Sequence, residues 1–294
     1  MSLSTAGALA RPGTTASTTA TSTTATSTTA PPGGGSARRR VRARLPAPRR
    51  WISPLVLVVA WQAASAAGVL PPDRLAAPLT VLRSAVDLAA SGELTDAFAV
   101  SISRVAVGFT LGAAVGVLLG AVAGLSRWGE ALVDPPVQML RTLPFLGLIP
   151  LFILWFGIGE APKIALVALG VAFPLYLNVH AGIRGADGRL LEAAEVLGFT
   201  RWERLRHVVA PAAVPQGLVG LRQGLAAAWL SLIIGEQVNA DAGLGFLINN
   251  ARDFLRTDVI VVGLLVYAAL GLLTDAVVRL VERRVLRWRT TTRG

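Results

Sequence analysis

Six apolar runs fill the chain from Trp51 to Leu280, and they restrict it more than any other feature. Each approaches the roughly 20 residues that a helix needs to cross a hydrocarbon layer. They run from Trp51 to Val69, from about Arg104 to Leu125, from Asp134 to Gly157, from Lys163 to Ala181, from Gln216 to Gly235 and from Val259 to Leu280. Apolar residues make up 53% of the chain and charged ones only 15%, so a water-soluble domain of this length could not cover its surface with polar groups. The expectation is an all-α membrane protein with six transmembrane helices over residues 51–282.

The polar remainder is uneven. Residues 1–50 form a separate block, with Thr14 to Ala30 entirely Thr, Ser and Ala, then Pro31-Pro32-Gly33-Gly34-Gly35 and a run of arginines from Arg38 to Arg50. Such a stretch cannot bury a core and is expected to be a disordered arm. It is too long and polar for the n-region of a secretory signal. The net charge of +11 could invite nucleic acid, but the arginines gather in the arm, in a loop at 183–213 and in a tail at 283–294. That distribution marks cytoplasmic segments and predicts both termini inside, in a plasma membrane. No nucleic acid is expected as a partner; the bilayer is.

The loop at 183–213 reads as a helix–glycine–helix hook. Leu190, Leu191, Ala194 and Leu197 share one face at helical spacing. Gly198 stands where a helix closes in the left-handed conformation. Thr200 and Glu203 form a capping box for a second helix with Trp202, Leu205, Val208 and Val209 as its apolar face. Pro211 reads as its stop signal.

Inside the runs, Gly108, Gly112, Gly116, Gly120 and Gly124 recur every fourth residue, which lets another helix approach closely. Asp134-Pro135 reads as an N-cap followed by proline at the first helical position. Polar groups within apolar runs are costly in lipid and are the candidates for a translocation pathway: Gln138, Arg141, Asn178, Arg222 and Gln223, with His180 behind them. Each arginine could instead snorkel to headgroups or pair with an acid on a neighbouring helix. Asp275 and Arg279 form an i,i+4 pair expected to be structural.

Catalysis has no visible means. There is no Walker A sequence, since the only lysine, Lys163, precedes Ile164 and lacks the glycine loop. With no cysteine and two distant histidines, no metal site is expected.

The hook resembles the cytoplasmic loop of ABC importer permease subunits, which reads Glu-Ala-Ala, three residues, Gly, nine residues, Ile, any residue, Leu-Pro. Glu192, Ala193, Ala194, Gly198, Val208 and Pro211 stand in that register, with Val208 for the Ile and Ala210 for the Leu. LSRWGE (125–130), QMLRTLP (138–144), LIPLFILWFGIGEAPK (148–163), VALGVAFPLYLN (167–178) and NARDFLRTDV (250–259) are similar to the aliphatic sulfonate branch of a group that also covers nitrate, taurine and bicarbonate. The resemblance covers about residues 51–289. It implies a type I importer permease fold and no cofactor in this chain. ATP and Mg would be held by cytoplasmic ATPase subunits docked on the hook, and an external binding protein would deliver substrate to a pair of identical permeases. A passive channel or scaffold is the alternative from another class, and it has no use for such a docking loop.

Overall fold

A computed structural model describes residues 49–287, and the arm and the end of the tail lie outside the described residues. Helix α1 (Arg49–Ala66) is followed by α2 (Pro78–Ala90), α3 (Glu93–Leu125), α4 (Arg127–Thr142), α5 (Leu148–Phe156) and α6 (Glu160–Arg184). Then come α7 (Gly188–Val196), α8 (Arg201–Arg204), α9 (Ala210–Asn239), α10 (Leu244–Asp253) and α11 (Thr257–Val285). No strand occurs among the described residues.

Four continuous helical stretches are long and apolar enough to cross a membrane: Glu93–Leu125, Glu160–Arg184, Arg201–Val238 and Thr257–Val285. The other two sequence runs differ from a simple span. The first yields only Ile52–Ala66 as an apolar helix, because Gly68 at φ +74° turns the chain into the left-handed region before Pro71. The third bends by 92° between α4 and the segment Phe145–Phe156, making a fifth span only if the pair counts as one. Asp134 does not cap that run. The cap is Ser126, which accepts from the Gly129 N–H, and α4 continues through Pro135 and Pro136. The Asp134 carboxylate instead accepts from Tyr176 Oη at 2.7 Å and Gln138 Nε2 at 3.3 Å.

At the centre, α6 packs between α3 and α9. The glycine stripe of α3 explains how closely α3 approaches: a β-carbon at Gly108 would lie 2.7 Å from Val167 Cβ, and one at Gly120 2.9 Å from the Tyr176 carbonyl oxygen. Val105, Val167, Val171, Leu175, Trp229, Leu232 and Tyr267 fill the core that results. The amphipathic α2 covers α10 and α11 through Val81, Leu88, Ala251, Val259 and Val262. Leu111, Val115, Leu118 and Val122 on α3, and Leu264, Leu265, Leu272 and Leu273 on α11, are exposed. An apolar exterior of that extent matches a lipid surface.

Candidate functional site

The hook is built as a locally determined unit. Asp187 caps α7 by accepting from the Arg189 N–H at 2.9 Å. At the other end Gly198 has φ +80°, its N–H reaches Glu195 O at 3.0 Å, and the Phe199 N–H reaches Ala194 O at 2.9 Å. These are the two bonds of a Schellman motif, which satisfies carbonyls that the helix end leaves open. Thr200 and Glu203 make the reciprocal capping box that starts α8. Arg204 Nη1 to Glu195 Oε2, at 2.9 Å, clips the two short helices together.

Two details depart from the sequence reading. Pro211 does not stop the second helix. A π-helical turn at Leu205–Val209 follows α8 and runs directly into α9, with Pro211 in the first positions of that helix. The missing N–H of Pro211 follows directly on the π-helical turn, where the i→i−4 ladder is already interrupted. Trp202 is also not packed inward: it is 67% exposed, beside exposed Val196 and Leu197. Glu192 and Ala193 are exposed as well, while Ala194 is buried. The tip of the hook is thus an apolar patch around a fixed left-handed glycine.

The polar candidates within the bundle divide into two places. Asn178 is 7% exposed and links a ladder of amides: Gln216 Nε2 donates to Asn178 Oδ1 at 2.8 Å, and Asn178 Nδ2 donates to Gln223 Oε1 at 2.9 Å. Gln223 and Arg141 line one recess of about 460 Å³ between α4, α6 and α9, with Phe145, Phe173 and Ser231. Arg141 has no ionic partner among the described residues. Arg222, by contrast, faces a separate slot between α9 and α11, and its Nε lies 2.6 Å from Asp275 Oδ1. Arg279 pairs with the other oxygen of the same carboxylate. Gln138 is turned to Asp134. His180 stacks on Tyr176 and approaches Glu130 Oε1 at 3.5 Å, with Arg184 pairing to the same carboxylate.

The densest polar cluster was missed in the sequence. It lies at the end of the bundle away from the hook, where α3 and α6 begin and α9 ends. Glu236 is 1% exposed and accepts from Ser101 Oγ (2.8 Å), Arg104 Nη1 (2.6 Å), Tyr267 Oη (3.0 Å) and the Gly245 N–H (2.8 Å). Arg104 also donates to Glu160 through Nη2 at 2.6 Å and to Ala242 O at 2.6 Å, and Lys163 Nζ reaches Glu160 at 3.1 Å. Arg104 and Lys163, each at the start of an apolar run in the sequence, are buried at 3% and 4% exposure. The two cations and two carboxylates balance, which is what makes such burial tolerable. The available signal in the sequence is Glu236, an acid directly after the apolar run that ends at Gly235.

Comparison with known proteins covers most of the molecule. Residues 115–287 match the family described as "Binding-protein-dependent transport system inner membrane component". The chain is 47% identical over 238 residues to the putative aliphatic sulfonates transport permease of Escherichia coli (strain K12), covering 81% of this chain and 90% of that one. It is 43% identical over 241 residues to the corresponding putative permease of Bacillus subtilis (strain 168), covering 82% and 87%. Among solved structures, a chain of an amino acid ABC transporter superposes with a TM-score of 0.58 at 18% identity, covering 68% of this chain and 97% of that one, a likeness of fold alone.

Proposed function

Because the chain belongs to the family of binding-protein-dependent transport system inner membrane components, we propose that it is the multi-pass permease subunit of an ATP-driven importer of aliphatic sulfonates. The observation that carries this reading is the hook. The hook fixes a left-handed glycine between two capped helices and leaves Trp202, Leu197 and Val196 in water, an apolar surface that suits a protein partner. An ATPase subunit docked there, with Glu192, Ala193, Ala194, Gly198, Val208 and Pro211 forming the register of the hook, supplies the energy. ATP and Mg belong to that partner.

On this reading the hook and both termini face the cytoplasm, and an external binding protein delivers substrate to the opposite end. A second copy of the chain completes the translocator. Along α9, Ala212, Gln216, Val219 and Gln223 are exposed at alternating steps of four and three residues, the spacing of a helix–helix seam. The pathway follows the recess lined by Arg141 and Gln223, with Asn178 holding Gln223 from behind. There a free guanidinium and neutral amide donors suit a sulfonate that must be bound yet released. Arg222 is left out of it, since Asp275 already holds its Nε in the other slot.

The test is growth of a deletion strain on an alkanesulfonate as the only sulfur source, with complementation by the chain and by a hook variant. Uptake of nitrate or taurine in place of the sulfonate would move the substrate while keeping the permease. Normal uptake with no ATPase copurifying would overturn the reading in favour of a passive channel.

A further inference from the structure

The slot between α9 and α11 has no part in the pathway just described, yet it is large and two-sided in chemistry. It holds about 510 Å³ and is walled by Leu225, Leu230, Ile233, Ala268 and Gly271. From Arg222 to Ile233 the helix rises by about 16 Å. At the hook end, two guanidinium groups, of Arg222 and Arg279, share the single carboxylate of Asp275. One positive charge is left over, and neither arginine has a further partner among the described residues. Arginine carries five N–H donors, so most of these point to no group among the described residues. The cluster also lies at an interfacial depth, since Glu282, Arg283 and Arg284 follow one to two turns later on α11.

Gly271 adds an independent observation. Glycine weakens a helix interior, and the other glycine of α11 has a packing reason: a β-carbon at Gly263 would come against Ile248. At Gly271 a β-carbon would meet nothing within 4 Å, and its φ is not in the left-handed region. The missing side chain widens the slot and serves no contact within the chain.

We propose that this slot binds an anionic phospholipid, with one acyl chain lying between α9 and α11 and the headgroup phosphate on Arg222 and Arg279. The depth suits a long acyl chain better than a short substrate. The surplus charge selects an anionic headgroup over a zwitterionic one. The proposal does not depend on which substrate is carried.

Trp229, at the deep wall of the slot, provides a reporter. The purified permease–ATPase complex is placed in nanodiscs containing phosphatidylglycerol or phosphatidylcholine with brominated chains, and the quenching lost in Trp229→Phe is assigned to the slot. Brominated phosphatidylglycerol should quench that component at about fivefold lower mole fraction per arginine engaged. Arg222→Gln with Arg279→Gln should abolish the headgroup preference. Gly271→Phe should remove quenching by both lipids at normal yield, because a β-carbon there meets nothing within 4 Å and opens into the slot of about 510 Å³. Retention of phosphatidylglycerol in native mass spectrometry gives a reading that needs no tryptophan. Equal quenching by the two headgroups overturns the proposal, as does displacement of the brominated lipid by an alkanesulfonate, which would assign the slot to substrate.

Discussion

Arg104 and Glu236 lie 132 residues apart in sequence, yet Nη1 of one meets Oε1 of the other at 2.6 Å with both side chains shielded from solvent. Around this pair, α3, α6, α9, α10 and α11 are joined at the end of the bundle remote from the hook. Gly243, at φ +112°, makes room for it: a β-carbon there would stand 2.6 Å from Arg104 Nη1. The loop, the arginine and the glutamate therefore depend on one another.

Removing one partner of the cluster should be far worse than removing the charge pair together. Glu236→Ala leaves Arg104 facing only the partly exposed Glu160, and breaking a buried pair costs about 3–5 kcal/mol. Arg104→Met combined with Glu236→Leu should recover a large part of that loss. Thermal unfolding of the purified complex, with both singles and the double, measures the coupling. Equal melting of Glu236→Ala and the parent would show that the cluster carries no stability.

The glycines should separate into two classes. Gly120→Val drives side-chain atoms into the Tyr176 carbonyl and Val179, and overpacking of this sort costs about 1–3 kcal/mol. Gly217→Ala, where a β-carbon meets nothing within 4 Å, should be neutral or stabilising by about 0.5–1 kcal/mol. Yield and melting temperature in detergent give both answers.

At the hook, Gly198→Val forces a β-branched residue to φ +80°, a strain of about 1–2 kcal/mol. Thr200→Ala removes the cap of α8 at a cost of about 1 kcal/mol. Both should lower copurification of the ATPase and leave membrane insertion unchanged. Val196→Asp, which alters the exposed patch without straining the backbone, should lower it too. Undiminished copurification in all three would remove the hook as the docking site.

How much of this was legible depended on the range of the interactions. The hook is local: Gly198, Thr200 and Glu203 act on neighbours within three residues, and spacing alone revealed them, while the Asp187 cap of α7 came only from the structure. The glycine stripe was legible because a period of four puts it on one face. What spacing could not show was where a helix turns in space. The bend after Thr142 and the passage of α9 through Pro211 depend on packing. The Arg104–Glu236 cluster was hidden because its members come from five separate segments, and Arg104 and Lys163 each sit where a flanking charge is ordinary. Arg141 and Arg222 looked alike in sequence, each beside a glutamine, and only the fold assigns them to different cavities.

That separation yields the sharpest expectation. Arg141 lines the recess with Gln223 and Ser231 and is free of carboxylates, so its guanidinium is available to an anion in transit. Arg222 has its Nε held at 2.6 Å by the Asp275 carboxylate, which it shares with Arg279. Arg141→Gln should lower sulfonate uptake by about tenfold or more, the equivalent of one lost charge-assisted bond of about 1.5–3 kcal/mol, while ATPase activity stimulated by the binding protein falls less. Arg141→Lys should restore uptake only in part, since lysine keeps the charge but loses the planar fork. Arg222→Gln should reduce uptake much less. Radiolabelled sulfonate uptake into proteoliposomes, at matched protein content, compares the three directly. If Arg222→Gln is the severe variant and Arg141→Gln transports normally, the pathway runs along the α9–α11 side, and the recess at Arg141 is a structural hollow.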